Sequence, residues 1–278
     1  MNELKGKVAI VTGASTQHGI GRAIAKRFAQ AGASLYLVAD RTQQQLDEAA
    51  SECVGIEGCG AVQTGIFDLG QPGQPEAMVA RAHQLLGRVD VLINNAGIRA
   101  PYDFGDFQRS TFDRMISVNL AAAFFASQAA VPIMRAQGGG RIIHITSQMG
   151  QVAAPQGTLY GLTKAALIHL TKSMAVELCK DNIIVNALSP GPIATQPLRD
   201  MGMSSMRDLY EKTPDQLESA AVDINKIPAW NTDKHDKLPI GRLGEPDEVA
   251  NVALYLAATS PAFLMGEDIV VDGGYLLQ

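Results

Sequence analysis

The stretch Val8-Ala9-Ile10-Val11-Thr12-Gly13-Ala14-Ser15-Thr16-Gln17-His18-Gly19-Ile20-Gly21 runs from a short apolar segment through a glycine-rich loop into a helical pattern. The apolar segment suits a strand buried on both faces. Glycines at 13, 19 and 21 let the backbone turn tightly and approach a bulky anion. The start of the helix offers free N–H groups and the positive end of its dipole to a pyrophosphate. Ile20, Ala23, Ile24, Phe28 and Ala31 then recur on one helical face, and Gly32 is placed to end the helix. Glycines in a loop can serve only the turn, but between a strand and a helix they read as a nucleotide-binding loop.

Working outward, six further apolar runs alternate with longer amphipathic stretches: Leu35 to Ala39, Ala61 to Phe67, Val89 to Ile93, Arg141 to Thr146, Ile183 to Ala187 and Asp268 to Val271. Strands separated by helices predict a parallel, doubly wound seven-stranded α/β sheet of the Rossmann kind, with helices on both faces. The 278 residues, 46% of them hydrophobic, suffice for one core, so a single domain over residues 1–278 is expected. One excursion breaks the alternation at about 196–240. It carries prolines, methionines and mixed charge, and reads as a lid over the site with Trp230 placed to report its closure.

The formal net charge of −5 gives no basic footprint for nucleic acid or an anionic membrane surface. The apolar run 121–134 is interrupted by Ser127, Gln128 and Pro132, and no apolar leader precedes Val8, so neither a membrane span nor a signal peptide is expected. Cys53, Cys59 and Cys179 fit no metal spacing and leave one odd thiol, which points to no metal and a reducing compartment, the cytoplasm.

Asp40 stands at the end of the second predicted strand, where a carboxylate accepts hydrogen bonds from the adenosine ribose hydroxyls of NAD. The 2′-phosphate of NADP would meet like charge there. Arg41 alongside could hold that phosphate, so NAD is favoured and NADP stays open. Downstream, Tyr160 and Lys164 lie four residues apart in a helical segment and share one face. A phenol with a reference pKa near ~10 is a poor acid/base at neutral pH, but two charges roughly 4 Å apart interact by about 4 kcal/mol at an effective dielectric of about 20. That is enough to bring a tyrosine within reach of proton transfer near neutrality.

With these elements in order, the chain resembles the short-chain dehydrogenase/reductase family from Lys7 to Ala194 and again from Gly241 to Gly274. The resemblance rests on Thr12-Gly13 to Gly21, Asp68-Leu69, Asn94-Asn95-Ala96-Gly97, Asn119, Ser147 thirteen residues before Tyr160, Lys164, and Ser189-Pro190-Gly191. It departs in the loop, where five residues rather than three separate Gly13 from Gly19, so which of Ser15, Thr16, Gln17 and His18 meets phosphate is left open.

The resemblance implies that Tyr160 exchanges a proton with the substrate oxygen, that Ser147 hydrogen-bonds that oxygen, that Lys164 holds the nicotinamide ribose, and that Asn119 places a water linking Lys164 to solvent. It also puts Gly13, Ser15, Gly19, Ile20 and Gly21 on the phosphates and Asp68 and Leu69 near the adenine. Asn95, Ala96 and Gly97 fall along the adenosine and ribose, with Pro190, Gly191, Ile193 and Thr195 toward the nicotinamide end. The activity it implies is interconversion of a secondary alcohol and a ketone, in a homotetramer assembled partly through the helices after Phe112 and Leu159 and the C-terminal segment. An NADPH-dependent carbonyl or 3-oxoacyl reductase and a non-catalytic dinucleotide sensor remain as alternatives. Specificity is left to variable loops: Arg99, Gln148, Met149, Gln151 and Pro192 are candidate pocket residues, and Arg99 and Arg199 could pair with a substrate carboxylate.

Overall fold

The computed structural model describes residues 2–40, 42–195 and 238–277. Its strands are β1 (Val8–Thr12), β2 (Ser34–Ala39), β3 (Val62–Ile66), β4 (Val91–Asn94), β5 (Gly140–Ile145), β6 (Ile183–Pro190) and β7 (Asp268–Val271). They form one sheet in the order β3-β2-β1-β4-β5-β6-β7, every pairing parallel. Each expected strand is present. The sixth runs on from Ala187 to Pro190, because Ser189 and Pro190 pair with Val270 and Val271 of β7.

Helices α1 (Ile20–Gln30), α2 (Gln43–Val54), α3 (Gln74–Leu86), α4 (Arg109–Ile116), α5 (Ala122–Ala136), α6 (Thr158–Leu178) and α7 (Pro246–Leu254) cover the sheet. Successive strand side chains point to opposite faces, so a sheet covered on both sides needs continuous apolar runs. In β1, Ala9 and Val11 join a core with Phe28 of α1 and Val249 of α7, while Ile10 joins a second core with Met78 of α3 and Ala130 of α5.

The α4 and α5 helices are joined by a π-turn, Ser117–Ala121. The combined segment Arg109–Ala136 is long and apolar enough, by length and composition, to cross a membrane. Here Ala122, Ala126, Ala130 and Met134 are buried in the second core, as a helix packed on a sheet requires. Pro132 sits within α5 without ending it, and Ser127 turns inward to accept a hydrogen bond from the Asn94 amide at 3.0 Å.

What positions the site is the strand order. The chain builds β1, β2 and β3 outward and then returns to place β4 beside β1. Connections leaving the carboxyl ends of β1 and β4 therefore run to opposite faces and open a crevice between them. The Thr12 hydroxyl bridges its floor, accepting from the Asn95 and Ala96 N–H groups, each at 2.9 Å, and donating to the Ile93 carbonyl at 3.1 Å. The expected lid at 196–240, with Trp230, lies outside the described residues as far as 237, and so do Arg41 and Arg199. At the return, Leu238 is buried and the Ile240 N–H donates to the Gly273 carbonyl at 3.2 Å.

Candidate active site

A cleft of about 400 Å3 opens over the carboxyl ends of the central strands. On one wall is the glycine-rich loop. Gly19 precedes α1 without a side-chain cap, and the first turn carries no acid, so its N-terminal amides are left for an anion. Gly13 has φ +67°, and a Cβ there would sit 2.9 Å from the Asn95 Nδ2. A Cβ on Gly21 would collide with the Gly13 carbonyl and the same Asn95 amide. These two glycines let the loop lie against the turn after β4. Ser15 and Thr16 line the cleft, whereas Gln17 and His18 are exposed, with His18 at φ +52°. Gln17 and His18 thus turn to solvent, and of the four residues left open by the sequence Ser15 and Thr16 are the ones on the cleft. A diphosphate fits this cradle: backbone donors and a helix end whose first turn carries no acid.

Asp40, at the end of β2, also lines the cleft and is exposed. Next to it, Asp68 and Leu69 follow β3. Partial burial works against the Asp68 carboxylate, but hydrogen bonds from Arg114 at 2.7 Å and the Gly70 N–H at 3.1 Å outweigh it and hold its carboxyl below the ordinary range. Asn95, Ala96 and Gly97 continue the wall, and Pro190, Gly191, Ile193 and Thr195 form its far end.

Tyr160, Lys164 and Ser147 meet at that end. Lys164 is buried and donates from Nζ to the Ile145 carbonyl at 2.8 Å. Its Nζ stands 5.6 Å from the centroid of the half-buried Tyr160 ring. Burial pulls the ammonium down from 10.5 to about 8. Ser147 begins a single 3-10 turn, Gln148–Gly150, and its Oγ accepts from the Met149 N–H at 3.2 Å. It therefore caps that turn, and its hydroxyl proton is still available to donate.

The site can thus hold a dinucleotide extended from Asp40 to Ile193, with a phenol, a serine hydroxyl and a buried lysine at the end opposite Asp40. A family model described as short chain dehydrogenase matches residues 7–204. This chain is a short-chain dehydrogenase/reductase. A second model, described as enoyl-(acyl carrier protein) reductase, matches residues 213–276. Among similar proteins, the 3-oxoacyl-[acyl-carrier-protein] reductase of Thermotoga maritima is 34% identical, with 99% of each chain covered. A 7α-hydroxysteroid dehydrogenase solved with NADH superimposes with a TM-score of 0.82 at 32% identity, covering 98% of this chain and 96% of that one. A protein assigned as an NAD(P)-dependent gluconate 5-dehydrogenase, from Beutenbergia cavernae and solved with NADP, gives a TM-score of 0.82 at 28% identity, with 100% of both chains covered. The family acts by NAD(P)-dependent oxidoreduction.

In this short-chain dehydrogenase, Asn119 lies within the π-turn, buried. Its Nδ2 donates to the Ile98 carbonyl at 2.9 Å and to Thr163 Oγ1 at 3.1 Å, and its Oδ1 accepts from the Ile98 N–H at 2.8 Å. Both amide hydrogens are spent on protein groups, so the side chain fixes the backbone after Gly97 and ties it to α6. Of the candidate pocket residues, Arg99, Gln148, Met149 and Pro192 line the cleft. Gln151 is exposed and instead donates to Asp268 at 2.6 Å.

Sequence reasoning missed two supports. Thr146, just past the end of β5, Ser189 on β6 and Asp268 on β7 form a chain, with Thr146 Oγ1 2.7 Å from Ser189 Oγ, which donates to Asp268 at 2.7 Å. No spacing announces it, because three separate segments supply one residue each. His144 on β5 is fully buried, with Asn94 Nδ2 3.1 Å from its Nδ1. Burial first, and the nearby Lys164 charge second, push the His144 imidazole down to about 3, so it stays neutral under the lysine.

Lys164 has a pH signature. Between its folded value of about 8 and its ordinary 10.5, the unfolded chain binds a proton that the folded chain has released, so stability at this site rises with pH through that window. Lys164→Met removes the titration. In urea unfolding near pH ~7.5 and ~10, the unmodified protein should gain stability relative to the variant at the higher pH. An unchanged difference would place the ammonium in ordinary solvent.

Proposed function

We propose that the enzyme interconverts a secondary alcohol and a ketone by hydride transfer, with Tyr160 as general acid/base and NAD preferred over NADP. The observation that carries this reading is a half-buried Tyr160 facing the cleft with a buried ammonium 5.6 Å from its ring. When bound, the dinucleotide supplies the hydride acceptor in one direction and the donor in the other. In oxidation, Tyr160 as phenolate takes the hydroxyl proton while the carbinol C–H pair of electrons leaves, and the Ser147 hydroxyl donates to the oxygen as charge builds on it. Lys164 favours the phenolate by its charge and offers its ammonium to the ribose. In reduction the proton moves back from Tyr160 to the carbonyl oxygen. Asn119, pinning Ile98 and Thr163, holds the two walls of the site in register.

Asp40 supports NAD, since its carboxylate accepts ribose hydroxyls and repels a 2′-phosphate. The alternative, reduction of a 3-oxoacyl thioester with NADPH, is favoured by the name of the Thermotoga relative and opposed by Asp40. The whole chain is read as one catalytic domain in the cytoplasm, acting on a small molecule as a homotetramer. In support of assembly, Phe124, Phe125, Leu162 and Val176 are exposed, and an apolar groove lies between α5 and α6. Light scattering would read the assembly directly, a monomer at micromolar concentration removing the claim.

Tyr160→Phe should reduce kcat by roughly 10³-fold or more while NADH binding, followed by its fluorescence, changes little. Turnover within a few-fold of the unmodified enzyme would take Tyr160 out of the chemistry. Asp40→Ser should move the ratio of kcat/KM values toward NADP by roughly tenfold or more, by removing a like charge. An unmodified enzyme that already prefers NADP would show that Asp40 does not set the choice.

A further inference from the structure

Among the described residues the cleft is electrically lopsided. Among its described lining residues the carboxylates are Asp40 and Asp68, both after β2 and β3, and Asp68 is paired with Arg114. At the Tyr160 end the charged lining residues are Lys164 and Arg99, both cationic. Lys164 is buried and turned to the Ile145 carbonyl. Arg99 is partly buried in the wall, its guanidinium carbon 5.9 Å from the Tyr160 ring centroid.

The backbone leading into Arg99 is held in place. The preceding residue, Ile98, has both its N–H and its carbonyl bound by the Asn119 side chain, at 2.8 and 2.9 Å. Asn119 in turn is fastened to Thr163, and Thr163 Oγ1 donates to the Tyr160 carbonyl at 2.7 Å. The backbone that carries Arg99 and the helix that carries Tyr160 therefore hang from one hydrogen-bonded unit, and the guanidinium carbon lies 5.9 Å from the phenol ring centroid. The planar fork of donors on a guanidinium matches a carboxylate bidentately, and anchoring its backbone keeps Arg99 beside the phenol.

We infer that the substrate carries a carboxylate, and that Arg99 anchors it while Tyr160 and Ser147 engage the reacting oxygen. This rests on the alcohol–ketone reading above and deepens it: the substrate class is a short hydroxy acid or its keto acid. The two contact points sit beside one ring, so the carboxylate lies within a few carbon atoms of the carbinol carbon. A neutral ester of the same skeleton keeps the reacting oxygen and loses the anion.

The test compares matched acids and esters. Pyruvate with methyl pyruvate, and acetoacetate with ethyl acetoacetate, are reduced with NADH or NADPH by the unmodified enzyme, Arg99→Met and Arg99→Lys. A panel of neutral secondary alcohols and ketones is run in parallel. The unmodified enzyme should favour an acid over its ester. Arg99→Met should raise KM for the acid roughly 100-fold more than KM for the matched ester, the scale of truncating one partner of a buried charge pair. Arg99→Lys should recover part of the loss. A guanidinium that only adjusts Tyr160 would instead lower kcat for acid and ester alike and displace the pH–rate profile, overturning the anchoring role. Turnover of esters or neutral alcohols that equals or exceeds that of the acids would sink the carboxylate inference and leave the oxidoreductase reading standing. No turnover of any alcohol or ketone would sink both.

Discussion

One hydroxyl holds the two halves of this fold together at the point where function needs a gap. Thr12 closes β1, and its Oγ accepts two backbone amides from the turn after β4. The reversal of strand order forces the connections apart there, and the open crevice leaves the N–H groups of Asn95 and Ala96 to find a partner. A side-chain oxygen supplies it without filling the space above. Asn95 returns the contact through its amide, donating to the carbonyls of Thr12 at 2.8 Å and Gly13 at 3.2 Å. The glycines at 13 and 21 follow from this arrangement, since any side chain there would meet the Asn95 amide.

The same economy governs the charged end of the cleft. A buried ammonium is costly unless it is hydrogen-bonded, and the exposed end of β5 offers Lys164 the Ile145 carbonyl. His144, one residue earlier, would add a second positive charge if protonated. Full burial keeps it neutral, and with the Asn94 amide as donor its Nδ1 is an acceptor and its Nε2 carries the hydrogen. The site concentrates a single titratable cation beside the phenol. Ser147 is both the cap of a 3-10 turn and a donor into the cleft, so its structural and chemical roles coexist in one hydroxyl.

The fold was legible because a parallel sheet covered on both faces writes itself as unbroken apolar runs, and all seven appear where Val8, Leu35, Ala61, Val89, Arg141, Ile183 and Asp268 open them. The phosphate loop was legible because glycines fall between a strand and a helix. Its extra residues were not, since only the backbone at His18 decides which way the insertion turns. Asn119 could be found by resemblance, but its bonds to Ile98 and Thr163 could not: they depend on a π-turn that no local pattern specifies. Gln151 was read as a pocket residue from its place after Ser147, yet one turn of 3-10 helix rotates it to Asp268. Contacts assembled from several segments, like Thr146 with Ser189 and Asp268, leave no trace in spacing.

The helix that opens the anion site is covered by the end of the chain. Ile24, Phe28 and Ala29 of α1 share a core with Val249, Ala250 and Ala253 of α7, and Arg27 Nε donates to Asn251 at 2.8 Å. More than two hundred residues separate these partners. During synthesis the part of the α1 apolar face that α7 covers therefore stays uncovered until α7 has left the ribosome. A chain stopped before Pro246 carries its loop on a helix with that face bare. The anion site at one end of the chain thus shares its supporting core with the other end, and the apolar surface left open between the synthesis of the two is of the kind that favours aggregation.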